Sequence, residues 1–216
     1  DFSKAKWNKD LGLAEVVEKK GKMWVSMGIV RSGKTFYFIE EAMYLAEIGA
    51  LLLVDDDDTA ISLEDVYRKV AGGKSGCCWE RYEAYRHLKS LGYVVGLHGV
   101  PWSVKGVNQN QVDSPVGGTK GKEVVLDTLL EEMLKNLRVD EIKPAFDVYL
   151  PNSKFKKSSP GDPAFILCLI RGSPPLRAQV EALERQCGDI PLKFCQVDHG
   201  RVSFLSFEKV ELPVLP

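Results

Sequence analysis

The residues that most suggest chemistry lie between Gly28 and Thr35, where the sequence reads GIVRSGKT. This stretch matches the pattern G-x-x-x-x-G-K-T, in which backbone amides and a lysine hold the phosphates of a nucleotide. The apolar run LLLV at 51–54 is followed by four aspartates at 55–58, and an aspartate after a buried strand is a common ligand for Mg²⁺ in such proteins. The two stretches together raise the question of an ATPase or a GTPase.

The sequence around the motif argues against nucleotide binding. A phosphate-binding loop follows a buried strand and leads directly into a helix, whose N-terminal amides bind the phosphates. Residues 20–27 instead alternate apolar and polar side chains, which predicts a two-faced strand, and TFYFIE after Lys34 predicts a second strand. We therefore expect a β-hairpin that turns at residues 31–34, with Gly33 at positive φ, and no bound nucleotide.

The acidic run and the histidines do not predict a metal site. A calcium loop of the EF-hand type needs Gly at its sixth position and Glu at its twelfth, and counting from Asp55 gives Ala60 and Val66. His87 and His98 have no Cys, His or carboxylate at ligand spacing. We expect an exposed acidic turn, no metal and no other cofactor.

Composition narrows the class of protein. The 216 residues include 44% hydrophobic and 27% charged side chains, as in ordinary globular proteins, and the net charge is −1. With so little net charge, contact with nucleic acid must come from local basic patches. No run approaches the roughly 18 apolar residues that span a bilayer, so no membrane contact is expected. Five cysteines without a C-x-x-C pair favour a reducing compartment over a disulfide framework or a zinc site.

Hydrophobic periodicity predicts two units joined by a linker. Residues 1–105 are interpreted as a hairpin, helices at 40–49, 62–70 and 78–92 and a final strand, YVVG, which together resemble a winged-helix-like module. Residues 106–122 are rich in Gly, Asn and Gln and predict a linker or a truncated loop. Residues 123–216 predict an amphipathic helix followed by a mixed-sheet α/β unit. The predicted fold class is α/β (α+β), with an N-terminal winged-helix-like hairpin-plus-helices domain and a C-terminal mixed-sheet domain.

Long blocks of the sequence, in the same order, resemble the larger non-catalytic subunits of the eukaryotic tRNA-splicing endonuclease, the fifty-four subunits of the Sen complex. The blocks are GKMWVSMG, EEAMYLAEIGALLL, ISLEDVY, CWERYEAYRHLKSLGYVV, PAFDVYLPNSKFKKSSPGDPAFILCLI and GRVSFLSFEKVELPVLP. The resemblance implies a heterotetramer of two catalytic and two structural subunits that removes introns from precursor tRNA. It also implies a C-terminal tRNA-endonuclease-like domain and a nuclear location.

The resemblance also allows a test for catalytic residues. Its catalytic members cleave RNA with a tyrosine, a histidine and a lysine, the histidine acting as general base. Tyr149 lies near the position expected for the tyrosine, and Lys193 lies broadly in the region of the lysine. The loop after Tyr149 contains no histidine, and His199 lies in a predicted hairpin turn. We therefore predict no catalytic residue in this chain and interpret it as a non-enzymatic subunit.

Lysines around an aromatic side chain predict an RNA contact after Tyr149. In the sequence KFKK, ammonium groups would bind the RNA backbone while the ring stacks on a splayed base. The alternative is a soluble loop without a ligand. The basic face of the helix at 78–92 would lie on a phosphate backbone or, alternatively, be a solvated helix surface. The RNA-binding candidates are Lys154, Phe155, Lys156, Lys157, Arg86, Lys89, Arg31 and Lys34.

The C-terminal sequence SFEKVELPVLP predicts a subunit interface. It is an apolar, strand-like tail broken by prolines, and pairing with the edge strand of a partner would satisfy its backbone. The interface candidates are Val202, Phe204, Phe207, Val210, Leu212, Val214 and Leu215. The predicted partners are the catalytic and structural subunits of the endonuclease and precursor tRNA.

Two other functions remain open from the sequence. One is an active, metal-free RNA endonuclease with a rearranged acid–base pair at His199 or His87. The other is a stand-alone winged-helix protein that binds nucleic acid. Cleavage by the pure chain would favour the first, and a stable monomer that binds duplex without preference for tRNA would favour the second.

Overall fold

The computed structural model describes residues 2–72, 77–104, 142–151 and 154–207. This part of the chain forms two five-stranded sheets and four α-helices. The strands are β1 (Ser3–Asn8), β2 (Leu13–Glu18), β3 (Ile29–Arg31), β4 (Lys34–Tyr37), β5 (Leu51–Val54), β6 (Val94–Leu97), β7 (Pro144–Tyr149), β8 (Phe165–Ile170), β9 (Leu192–Asp198) and β10 (Arg201–Leu205). The helices are α1 (Ile39–Glu47), α2 (Leu63–Ala71), α3 (Trp79–Ser90) and α4 (Arg177–Cys187). The predicted α/β class is confirmed.

The first sheet has the strand order β3-β4-β2-β1-β5. β1 pairs antiparallel with β2 and parallel with β5. β1 and β2 were not predicted from the sequence, although the alternation in SKAKWN places Ala5 and Trp7 on the buried face. Because these two strands form the middle of a mixed sheet, the description as a hairpin plus helices of winged-helix type does not fit this region.

The GKT stretch forms the hairpin that its flanking residues predict. β3 pairs antiparallel with β4, and Ser32 and Gly33 occupy the two turn positions with φ of 47° and 76°. Two residues at positive φ suit the right-handed twist of a hairpin. The strand predicted over 20–27 is wrong, because Met23–Val25 forms a 3₁₀ turn. Gly28 has a φ of 75°, and a Cβ there would lie 2.8 Å from the carbonyl oxygen of Phe36.

The three predicted helices of the first half are confirmed. The Ser62 hydroxyl accepts the Asp65 amide at 3.1 Å and caps the N-terminus of α2, as the spacing of the two residues predicts. α3 buries Tyr82, Tyr85 and Leu88 on one face. These side chains belong to one continuous apolar cluster that includes residues of α1 and of both sheets. α1 packs on the first sheet and α3 packs on the second, so the contact between these two helices joins the two cores.

The second sheet has the strand order β10-β9-β8-β7-β6. β8 and β9 are parallel and are connected through α4, which buries Val180 and Leu183 against β8 and β9. β6 is the YVVG strand that the sequence analysis assigned to the first domain, and it pairs antiparallel with β7 in this second sheet. The division of the chain into 1–105, 106–122 and 123–216 stays a prediction.

Some predicted features lie outside the described residues. They are the linker at 106–122, the amphipathic helix at 123–137 and the interface residues Val210, Leu212, Val214 and Leu215. Among the residues that are described, none of the helices has the length and apolar character needed to cross a membrane.

Candidate subunit and RNA interface

The residues of the two motifs that suggested nucleotide chemistry make hydrogen bonds and an ion pair within the protein. The amide of Gly28, at the first position of the motif, donates to the Glu41 carboxylate at 2.6 Å. The Lys34 ammonium pairs with Glu15 at 2.6 Å on the surface. In the acidic run, Asp55 accepts the amides of Asp57 and Thr59 at 2.9 Å each and closes an exposed turn. Across the described ranges no group of three potential ligands is placed to hold a metal ion.

The three residues compared with a catalytic triad lie on different elements of the second sheet. Tyr149 lies on β7, and its ring packs edge-on against Trp102 and Phe155 with centroid distances of 6.1 and 5.3 Å. Burial raises the pKa of its hydroxyl. The Lys193 ammonium on β9 lies 4.8 Å from the centre of the Phe165 ring. β8 separates these two strands, so Tyr149 and Lys193 do not share one pair of neighbouring strands.

His199 lies in the turn between β9 and β10, as predicted. Its φ is 46°, and its side chain is 94% exposed, 3.6 Å from the Asp198 carboxylate. His87 instead packs against Phe204 of β10, with ring centroids 5.5 Å apart.

His98 and Asp147 form a histidine–carboxylate pair that was not predicted from the sequence. His98 Nδ1 lies 2.7 Å from an oxygen of Asp147, and both side chains are partly exposed. The two residues are 49 positions apart, and only the pairing of β6 with β7 brings them together. No local spacing in the sequence signals this contact.

Phe155 does not present its ring to a base, which corrects the predicted stacking role. The side chain is only 8% exposed and packs with Val94, Trp102 and Tyr149 in a separate apolar cluster. Its ring centroid lies 5.0 Å from that of Trp102. The aromatic residue in KFKK therefore anchors the loop 154–159 to the protein. Lys154 and Lys156, on either side of it, remain exposed.

Lys157 also points into the protein. Its ammonium donates to the carbonyls of Trp24 at 2.7 Å and of Met27. The hydroxyl of Ser103 donates to the Lys157 carbonyl at 3.2 Å, which holds the backbone of the same residue. Burial lowers the pKa of Lys157 to about 8, against the opposing effect of Glu41. A half-buried lysine with these partners is a structural tie, and it is not a free phosphate ligand.

Glu41 is a buried carboxylate whose negative charge acts on the Lys157 ammonium. One of its oxygens accepts the Gly28 amide, and the other accepts the Phe38 amide at 3.0 Å. Burial raises its pKa to about 7, although the two backbone amides and the Lys157 charge act in the opposite direction. The buried amides hold the carboxylate in place, so the turn before β3, the start of α1 and the loop at Lys157 form one connected unit.

The basic candidates of the first half are mostly engaged within the protein. Arg31 is 3% exposed and donates to the carbonyls of Val30 and Pro101, so it is not available to RNA. Arg86 pairs with Glu83 at 2.9 Å but keeps about half of its side chain exposed. Lys89 donates to the Tyr93 carbonyl at 3.1 Å, and burial lowers its pKa. Arg86 and the exposed Lys34 stay predictions as RNA contacts.

β10 is an edge strand, and among the described residues it pairs only with β9. Val202 and Phe204 are half-buried and pack on the main apolar cluster, whereas Arg201, Ser203 and Leu205 face solvent. Phe207 follows the strand, is 42% exposed and meets Phe194 with ring centroids 4.9 Å apart. The open edge of β10 offers backbone amides and carbonyls to another strand.

Comparison with known proteins supports the class of protein that the blocks of sequence predict. Residues 1–55 match the family model described as the N-terminal part of tRNA-splicing endonuclease subunit sen54. The predicted resemblance to this family is confirmed over that segment.

Two named relatives carry the comparison further along the chain. The tRNA-splicing endonuclease subunit Sen54 of Mus musculus is 33% identical over 91 residues, which is 42% of this chain and 17% of that protein. The probable tRNA-splicing endonuclease subunit sen54 of Schizosaccharomyces pombe is 21% identical over an alignment of 239 positions, which covers 88% of this chain and 61% of that protein. The chain thus spans less than two thirds of the length of either relative.

Proposed function

We propose that this chain is a non-catalytic subunit of a tRNA-splicing endonuclease. The observation that carries the proposal is the match of residues 1–55 to the Sen54 N-terminal family model. The placement of Tyr149 on β7, Lys193 on β9 and His199 in the turn after β9 supports the non-catalytic role, because acid–base catalysis needs its groups within hydrogen-bonding reach of one reacting centre. The chain would scaffold the catalytic subunits and help position precursor tRNA in the nucleus.

The open edge of β10 supports the scaffold role. An unpaired edge strand is a template for strand addition, and natural proteins usually cover or blunt such an edge. The half-buried Val202 and Phe204 fix the strand to the core, so its outer backbone groups are presented in a defined geometry. A strand of a partner subunit would extend the second sheet at this edge. The residues of this chain after Phe207 would take part in the same contact.

The proposal is tested with the reconstituted complex and an intron-containing precursor tRNA. The intact chain is compared with a chain truncated after Phe207, and co-purification of the other subunits and cleavage are measured together. We expect the truncated chain to lose both. Retention of assembly together with cleavage would show that the residues after Phe207 are dispensable for the scaffold.

A further inference from the structure

The loop 154–159 does not stand alone on the surface, because Lys157 ties it to the turn after β2. The tie is the pair of hydrogen bonds from the Lys157 ammonium to the carbonyls of Trp24 and Met27. That turn has the sequence KKGKMW and carries three exposed lysines, Lys19, Lys20 and Lys22. The bonded residues are 133 and 130 positions apart, so two lysine-bearing segments that are distant in sequence are neighbours in space.

The electrostatics of Lys157 place Lys19 on the same side of the protein. The Lys157 pKa is lowered mainly by burial and, in part, by the positive charge of Lys19. The Lys19 ammonium lies 5.1 Å from the centre of the Trp24 ring, and the indole N–H of Trp24 donates to the Gly21 carbonyl at 3.0 Å. The turn is thus organised around a partly exposed indole, with the Lys19 ammonium beside it.

Residues 19–24 and 154–157 together contain six lysines and no Asp or Glu. Lys20 pairs with Glu18 at 3.3 Å, and both side chains are about half exposed, so this pair is weak. Glu41 lies beneath the surface, where its two oxygens accept backbone amides. The chain as a whole has a net charge of −1, so the lysines of these two segments are a local concentration of positive charge and not part of a general basic character.

We propose that the turn at Lys19–Trp24 and the loop at Lys154–Lys157 form one composite binding surface for the sugar–phosphate backbone of RNA. The exposed ammonium groups of Lys19, Lys22, Lys154 and Lys156 contact phosphates, and the indole of Trp24 supplies the stacking surface that Phe155 cannot supply. Lys157 is a positioning residue that holds the two segments together. This inference rests on the proposed function, since precursor tRNA is the RNA expected in the complex.

The test compares charge reversals in the assembled complex, with precursor tRNA as the ligand. One variant carries Lys19→Glu and Lys22→Glu, and a second carries Lys154→Glu and Lys156→Glu. The control carries Lys9→Glu and Arg177→Glu, which changes the charge equally at exposed positions, with Lys9 at the opposite end of the β1–β2 hairpin. Affinity is measured over a series of salt concentrations, and co-purification of the other subunits is recorded for each preparation.

We expect each lysine pair to weaken RNA binding by about tenfold at low salt and to reduce the slope of log K against log salt by about 1 to 2. The control should stay within about twofold of the unmodified complex. Lys157→Ala should weaken binding and also lower the melting temperature, whereas the surface variants should leave the melting temperature unchanged, because only Lys157 makes the buried tie.

Several results would overturn the composite surface. Binding by the Lys19/Lys22 variant that equals the control would remove the turn from the surface, even if the Lys154/Lys156 variant binds weakly. Loss of a partner subunit with unchanged RNA affinity would make the patch a protein interface. Failure of the unmodified chain to co-purify with other subunits would instead contradict the proposed function, so the two failures are distinguishable.

Discussion

The two sheets differ in whether the chain itself covers the outer edges of their edge strands. In the first sheet, the outer edge of β3 is covered by the chain itself, since the Val30 amide donates to the Trp102 carbonyl at 2.8 Å. The outer edge of β5 is covered in the same way, because the Ile61 amide donates to the Leu53 carbonyl at 2.8 Å. β10 in the second sheet has β9 as its single strand neighbour in the described part of the chain.

We propose that this difference marks where the first sheet is closed by the chain itself and where the second sheet accepts a partner strand. Exposed backbone groups at a sheet edge favour pairing with another strand, and an edge closed by the same chain removes that tendency. The first sheet is self-contained by this criterion. In the second sheet, β10 has its Val202 and Phe204 side chains anchored inward, and no strand within the described residues covers its outer backbone edge, as expected for an assembly surface.

The largest expected effect comes from blocking the open edge at Val202. Because a two-residue turn at His199 and Gly200 makes Arg201 and Asp198 a hydrogen-bonded pair, the Val202 amide points away from β9. Val202→Pro removes that outward donor and should abolish co-purification of the other subunits. Val202→Thr keeps the amide and is the control. Undiminished co-purification of a folded Val202→Pro chain would show that the edge is not the joint.

The second effect tests the closed sheet at Gly28. An alanine Cβ at this position would lie 2.8 Å from the Phe36 carbonyl oxygen, so Gly28→Ala should lower the free energy of unfolding by about 3 kcal/mol. Gly33→Ala is the matched control, since its φ is nearly the same and a Cβ there meets nothing within 4 Å. Its cost should be about 1 kcal/mol. Equal losses in chemical denaturation would argue against the close contact at Gly28.

A third effect concerns the buried Glu41 carboxyl and the dependence of protein stability on pH. The pKa of Glu41 is raised by burial to about 7 from 4.5, so its contribution to stability is full below pH 4.5 and is lost as the pH rises through 7. We expect the protein to lose on the order of 2 kcal/mol of stability from this group between pH 5 and pH 7.5. Glu41→Gln should flatten the curve, while Glu64→Gln, at an exposed position, should not. Parallel curves for the wild-type protein and Glu41→Gln would contradict this assignment.

The smallest effect is expected at Lys34, the lysine of the GKT stretch. Its ion pair with Glu15 is exposed to solvent, so Lys34→Ala should change the free energy of unfolding by less than about 1 kcal/mol. Mg²⁺ with ATP or GTP should leave the melting temperature unchanged in both proteins, because a ligand that binds the folded state would raise it. A nucleotide-dependent rise that disappears in Lys34→Ala would restore the nucleotide-binding hypothesis.

Local signals in the sequence predicted the local structure well. The hairpin at Ser32–Gly33 and the cap at Ser62 follow from turn and capping chemistry, which depends on residues within three or four positions. The alternation in β1 was equally local, and the turn residues of NKDLG at 8–12 that follow it, with Gly12 at a φ of 63°, were a second local signal for this hairpin. The strand predicted before Gly28 failed because two glycines at positive φ, Gly21 and Gly28, interrupt the extended chain.

Contacts between distant segments could not be predicted in this way. The assignment of β6 to the second sheet depends on its pairing with β7, roughly 50 residues later. Phe155 looked like a stacking residue because Trp102 and Tyr149, which bury it, are not its neighbours in sequence. Lys157 points inward because its ammonium donates to the carbonyls of Trp24 and Met27, which are also distant from it in sequence. The structure therefore corrected the predicted RNA contacts more than it corrected the predicted fold class.

The most direct test of the non-catalytic role is cleavage of an intron-containing precursor tRNA by complexes that differ only in this chain. One complex lacks the chain, and another contains it with Tyr149→Phe, Lys193→Ala and His199→Ala together. We expect cleavage to be lost without the chain and to stay within about threefold of the unmodified rate with the triple variant, since removing a true acid–base residue costs about 10²-fold or more. A loss of that size in a fully assembled triple-variant complex would show that this chain carries catalytic residues.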